Sequence, residues 1–287
     1  MSSLRRLPSA RRFEPPGPPA LGPTVLAATV LAAIVLAASG CGTEDAPPPT
    51  ASPPTDYTLL FIDRSTSAGG TARTQEVFAD SLDRIVRRYL DRPGDRLSAF
   101  AVHKKTLAKA TRLDLRNRVA PLEDRAFADE QALETARFKR ETQRFLDTAR
   151  VRLRSFLRET TDRPSFRRWT DLWGALGVAS QELPAPADSV RTRVYFLSDM
   201  HESMPGPKRR DFDARLPASR SQAERWAQTD AGRLTTHMRV RPDRLEDAQF
   251  RVLLGPLATK PGAQAIKFYW LTLWAELGIP DRRIRYN

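Results

Sequence analysis

With 287 residues, 40% of them hydrophobic, the chain is long enough for one large α/β domain with insertions or for two small domains, which excludes a wholly disordered protein. A formal charge of +13 and a pI of about 10.6 would ordinarily point to nucleic acid, but arginine is spread through every segment and no nucleic-acid motif is present. No nucleic-acid partner is expected, and a basic surface beside an anionic bilayer or cell-wall polymer is the reading kept.

Residues 1–40 read as a targeting signal peptide. Arg5, Arg6, Arg11 and Arg12 precede an apolar run from Thr24 to Ala38, and small residues Ser39 and Gly40 lead into Cys41, the only cysteine. The run is about 15 residues, short of the roughly 20 that a spanning helix needs. A lone cysteine forms no internal disulfide, so its place here points to a covalent purpose. Ala38-Ser39-Gly40-Cys41 resembles a bacterial lipobox, with Ala38 where leucine is usual. That resemblance implies export, lipid on Cys41 and anchoring to the bacterial cell membrane or envelope; a plain signal peptide and an uncleaved anchor are the alternatives. Residues 41–56, with Pro47-Pro48-Pro49, bury too little apolar surface to order themselves and read as a flexible tether.

From Tyr57 the pattern becomes that of a folded domain. Leu59 to Ile62 is an unbroken apolar run ending at Asp63, as a strand buried on both faces reads. Asp63, Ser65 and Ser67 then recur at every second position, so one loop can aim a carboxylate and two hydroxyls at a single point. After Gly69-Gly70, the stripe Phe78, Leu82, Ile85, Val86 and Tyr89 predicts a helix over 74–90. Strands over 97–103 and 106–113 form an edge hairpin, with His103 an edge residue. Residues 122–163 contain neither glycine nor proline and read as a long helical insertion; the part over 129–159 would span about 46 Å.

Trp169-Thr170-Asp171-Leu172 opens a helix closed by Pro184, and 191–197 is a second buried strand, ending in Ser198-Asp199. His201 and Glu202 follow at the rim. A basic loop over 205–217 leads to Ser221-Gln222-Ala223-Glu224, a capping-box signature for a helix to about Leu234. A strand over 250–254 and a helix over 263–277, stopped by Gly278 and Pro280, precede a short edge strand, 284–286.

Taken singly, Asp63 to Ser67 and Thr170 or Asp171 read as helix caps and turn formers, and Asp199 as an ordinary loop acid. Together, Asp63-x-Ser65-x-Ser67, Thr170-Asp171 and Ser198-Asp199 resemble the three segments of the metal-ion-dependent adhesion site of von Willebrand factor A-type domains. The resemblance covers about 57–277. It implies a doubly wound α/β fold for 57–287: a mostly parallel sheet with helices on both faces and one antiparallel edge hairpin. It also implies a divalent cation, Mg²⁺ or else Mn²⁺ or Ca²⁺, at Asp63, Ser65, Ser67, Thr170 and Asp199, with Asp171, His201 and Glu202 as candidate rim residues. The partner it implies is a protein with an exposed Asp or Glu that completes the metal shell. Two other readings stay open: a Mg²⁺-dependent phosphohydrolase using the strand-end Asp63, and a structural envelope lipoprotein. Against the enzyme, the haloacid-dehalogenase pattern needs a second Asp where Ser65 stands, and neither a Gly-x-Ser-x-Gly elbow nor a phosphate-cradling glycine loop is present.

Overall fold

Leu59, Leu60, Phe61 and Ile62 are all fully buried, and successive side chains leave a strand on opposite faces, so β1 (Thr55–Asp63) must be covered from both sides. The computed structural model describes residues 53–286 apart from 66–67, 69–71, 108–110, 124, 126, 162–167 and 254–261. Cys41, the targeting segment, nearly all of the tether and Ser67 lie outside the described residues.

The elements follow in chain order. After β1 come α1 (Ala72–Tyr89), β2 (Arg96–Val102), β3 (Thr111–Arg116), α2 (Ala128–Thr161) and α3 (Leu172–Glu182). Then come β4 (Val190–Leu197), α4 (Arg220–His237), the single turn α5 (Pro242–Leu245), β5 (Gln249–Leu253), α6 (Ala263–Glu276) and β6 (Ile284–Tyr286). Among the described residues six strands form one sheet in the order β3-β2-β1-β4-β5-β6, parallel throughout except for the antiparallel β2–β3 pair at one edge. Among the described residues no helix is long and apolar enough to cross a membrane.

Alternation along the strands divides the core in two. On one face Leu59, Phe61, Phe100, Val194, Phe196 and Phe250 pack against α3, α4 and α6, with Phe61 stacked between Phe100 and Phe196 at 5.3 and 5.2 Å. On the other, Leu60, Ile62, Ala99, Tyr195 and Leu197 meet α1 and the second half of α2. The fold is therefore doubly wound, as the run at Leu59–Ile62 leads one to expect.

One element differs from the sequence reading. The hairpin's second strand begins at Thr111 rather than Thr106, because the Thr106 hydroxyl donates to the His103 carbonyl at 2.7 Å and accepts from the His103 N–H at 2.9 Å, closing a turn there instead. The long helix is real, 34 residues and about 51 Å, but only its second half packs. Leu146, Ala149, Leu153, Phe156 and Leu157 are buried, whereas Leu133 is 70% exposed. Asp83 of α1 accepts from both Arg150 and Arg154 and ties the packed half down.

Candidate functional site

The strand order reverses at β1: β2 lies to one side of it and β4 to the other, and such a reversal leaves a crevice beyond the carboxyl ends of the strands. Ile62 is in register with Leu197, so Asp63 and Ser198 leave the sheet side by side. Asp63 is fully buried, its Oδ1 accepting from the Ser65 N–H at 2.8 Å and its Oδ2 from the Ser198 hydroxyl at 2.8 Å. Burial, and then the charge of Asp199, push the Asp63 carboxyl up to about 7, against the opposing pull of the hydrogen bonds from Ser65 and Ser198. Ser65 is buried as well, and its hydroxyl accepts from the Ala68 N–H at 3.3 Å.

The second and third segments are stitched together. The Thr170 N–H donates to the Ser203 hydroxyl and the Ser203 N–H to the Thr170 carbonyl, both at 3.0 Å, so the loop before α3 lies on the loop that follows β4. Asp199 opens that second loop and accepts from the His201 N–H at 3.1 Å. Met200 has a φ of 60°, rare for a non-glycine residue, and Trp270 of α6 holds it by donating from Nε1 to its carbonyl at 2.7 Å. The Thr170 Oγ1, in contrast, is buried and has no hydrogen-bond partner among the described residues.

Asp63 and Asp199 thus stand at the carboxyl ends of the central strands β1 and β4, Ser65 follows Asp63, and Thr170 is held on the loop after β4, while Ser67 lies outside the described residues. Two of the three candidate rim residues are not at a rim. Asp171 is buried as the N-cap of α3, accepting from the Gly174 N–H at 2.7 Å, and a side chain at Gly174 would collide with that carboxylate. Glu202 is fully buried beneath the same helix end, its Oε2 accepting from the Leu172 and Trp173 N–H groups at 2.6 and 3.1 Å. Burial lifts the Glu202 carboxyl to about 8 even though Arg209 pulls it down. His201 is half-buried, with Nε2 at 2.9 Å from Asp213.

Arg209, within the basic loop, joins these two acids: it donates to Asp171 and, at 2.6 Å, to Glu202, while its guanidinium lies 5.1 Å from the Trp173 ring. Arg210 beside it reaches the buried Asp230 on α4 at 2.8 Å. Sequence reasoning passed over Arg209, and it named Ser198 only as part of the Ser198-Asp199 segment, with no role of its own. Ser198 carries a signal in hindsight, being the hydroxyl that ends the strand beside β1; Arg209 carries none beyond the rule that a buried acid keeps a cation near it.

The donors present suit a hard divalent cation. Among the described residues no three His, Cys, Asp or Glu side chains cluster, so a cation here would be held largely by neutral hydroxyls, and the orphaned Thr170 oxygen is one such donor.

No protein-family model and no curated protein matches the sequence. Among solved structures, the chain is similar to the pilus adhesin SpaC from Lactobacillus rhamnosus GG at 14% identity, over 83% of this chain and 28% of that one, with a TM-score of 0.38. It is also similar to proximal thread matrix protein 1 of the mussel byssus at 10% identity, over 77% of this chain and 47% of that one, with a TM-score of 0.35; one structure of that protein has a zinc-occupied MIDAS motif. This chain spans less than half the length of either neighbour. The functional reading rests on its own residues.

Proposed function

We propose that residues 57–287 form a von Willebrand factor A-like adhesion module, held on the extracytoplasmic side of the bacterial cell membrane or envelope by lipid on Cys41 through the tether 41–56. In this reading it captures a protein ligand through a divalent cation whose shell an Asp or Glu of that ligand completes. Ser65, Ser67 and Thr170 would hold the cation through their hydroxyls, with Asp63 and Asp199 anchoring its water shell by hydrogen bonds. The observation that carries this reading is the Thr170 hydroxyl. Leaving a buried polar atom unsatisfied costs about 1–3 kcal/mol, and this one lies on the loop stitched to the loop that Asp199 opens beyond β4, the strand beside β1 and its terminal Asp63.

The charge balance supports an acidic ligand. Mg²⁺, Mn²⁺ and Ca²⁺ all take oxygen donors, and hydroxyl donors leave most of the metal's charge uncompensated, so an outside carboxylate is drawn in. Against the phosphohydrolase, both oxygens of Asp63 are committed to the Ser65 N–H and the Ser198 hydroxyl, which fits a positioning role better than a nucleophile.

The test pairs a pull-down from envelope extract, with and without chelator, with a Mg²⁺ thermal-shift titration of wild type and Asp63→Ala. Chelator-sensitive capture and a stabilising shift confined to wild type are expected. An equal Mg²⁺ response in Asp63→Ala, or capture indifferent to chelator, overturns the reading, and turnover of phosphate esters with Mg²⁺ favours the enzyme instead.

A further inference from the structure

At the end of the sheet remote from Asp63, β1 and β2 begin and the antiparallel β3 ends. Arg96 of β2 and Arg116 of β3 stand directly opposite each other in that pair, a placement that destabilises a ladder through like-charge repulsion. Arg92 just before β2 and Arg118 just after β3 extend the cluster, and all four are exposed. Among the described residues none of the four makes a salt bridge, although Arg112 on the same strand pairs with both Asp114 and Glu182. Asp91, exposed beside Arg92, and Asp95, buried beside Arg96, flank them in sequence, and Asp56 and Glu182 line an adjoining groove with Arg96 and Arg116.

The backbone that carries these arginines is braced. Buried Asp95 accepts from the Asp56 N–H and from the Arg92 N–H, each at 2.8 Å. Buried Asn117 donates from its N–H to the Asp95 carbonyl and accepts at its own carbonyl from the Gly94 N–H, each at 2.9 Å; its side chain donates to the Leu90 carbonyl at 2.9 Å. Over this frame lies an open groove of about 900 Å³, walled by Arg92, Arg116 and Arg118 together with Pro53, Pro54 and Val119, and no acid among the described residues lines it. A repulsive cluster on a fixed frame is stabilised by an anion from outside.

We propose that this edge is a second binding surface, which receives the phosphate headgroups of an anionic bilayer. The place where the chain joins the domain selects this partner. Pro53 and Pro54 are part of the groove wall, and Cys41 precedes them by about a dozen residues, a reach of at most about 40 Å when extended. A chain anchored at Cys41 therefore keeps this edge within reach of the lipid. The candidate metal site lies at the other end of β1, nine residues and about 30 Å away. The inference rests on the anchoring part of the proposed function, and basic side chains at an anionic leaflet are a strong attractive source.

The test uses the full chain with vesicles of phosphatidylcholine alone or with added phosphatidylglycerol, read by hydrogen exchange over 91–96 and 116–121. Exchange there is expected to slow severalfold only with the anionic lipid, to recover at high salt, and to be insensitive to lipid when all four arginines are replaced by glutamine. Circular dichroism of that variant checks folding, which the lost repulsion favours. Equal exchange on both vesicles overturns the proposal, and protection by soluble polyphosphate but not by anionic vesicles replaces the bilayer with a soluble polyanion. The mass of the mature chain reports lipid on Cys41 separately. Without that lipid the anchoring reading falls, and the unanchored chain mixed with the same vesicles must still show the contrast.

Discussion

Ser198 donates a 2.8 Å hydrogen bond to Asp63 at the junction of β1 and β4, joining the two strands where the order of the sheet reverses. The same hydroxyl accepts from the Met200 N–H at 2.9 Å, so one oxygen fixes both the carboxylate and the start of the loop behind it. Ser198→Ala leaves a buried carboxylate oxygen and a buried N–H unsatisfied, for an expected loss of about 1–3 kcal/mol. Urea denaturation at constant m value measures this; a loss below about 0.5 kcal/mol would mean that Asp63 finds another donor.

Thr170→Val should behave in the opposite way. The Thr170 hydroxyl has no partner among the described residues, so the near-isosteric valine removes a desolvated polar atom and breaks no hydrogen bond. Stability without metal is expected to stay within about 1 kcal/mol of wild type, or to rise, while the stabilisation by Mg²⁺ disappears. Thermal melts with chelator and with Mg²⁺ separate the two effects, and a variant that keeps its Mg²⁺ shift removes Thr170 from the site.

The strands and the two faces of the sheet were legible because burial leaves a mark on local sequence. Leu59 to Ile62 is apolar at every position since both faces are covered, and the α6 stripe repeats at helical spacing since one face is. Asp63 and Ser198-Asp199 could be placed for the same reason, since they fall where the apolar runs of β1 and β4 stop. What sequence could not show is which acids turn inward. Asp171 reads as a helix cap and Glu202 as a loop acid, yet they share Arg209, a contact made by tertiary packing that no spacing encodes. Nor does a charge pattern distinguish the half of α2 that lies on α1 from the half that does not, because charged residues alternate with apolar ones along both.

Arg209 is therefore the residue whose loss should be felt most in this region. Arg209→Ala strands the buried Asp171 and takes from the buried Glu202 one of its donors beside the α3 N-terminus, for an expected cost of about 3–5 kcal/mol. Arg209→Lys can meet one acid at a time and should recover part of it. Equilibrium unfolding of the three proteins tests the order, and an Ala variant as stable as wild type would show that the helix end alone satisfies both acids.

Glu202 gives stability a pH dependence. Its carboxyl rises from about 4.5 unfolded to about 8 folded, so between those values the folded chain holds a proton that the unfolded chain has released. Stability from this group is complete below about 4.5 and is lost as pH climbs toward 8, with a limiting slope of about 1.4 kcal/mol per pH unit. Asp63, lifted to about 7, acts in the same direction. Glu202→Gln cannot titrate, so unfolding free energy measured from pH 5 to 8 should fall less steeply in the variant; parallel curves would place the proton elsewhere.

The two halves of α2 should answer differently to the same kind of substitution. Leu153 is 1% exposed among Phe78, Leu82 and Val86 of the α1 face, and cutting it to alanine opens a cavity there, at a cost of about 2–5 kcal/mol. Leu133, 70% exposed on the first half, buries little, and Leu133→Ala is expected to stay within about 0.5 kcal/mol of wild type. Hydrogen exchange along the helix should divide near Phe145, slow after it and fast before it, because a helix without tertiary packing frays at a fraction of the global unfolding energy. If Leu133→Ala instead cost as much as Leu153→Ala, the first half would be packed in solution against a surface of this chain or of a second copy, and analytical ultracentrifugation of the variant would show which.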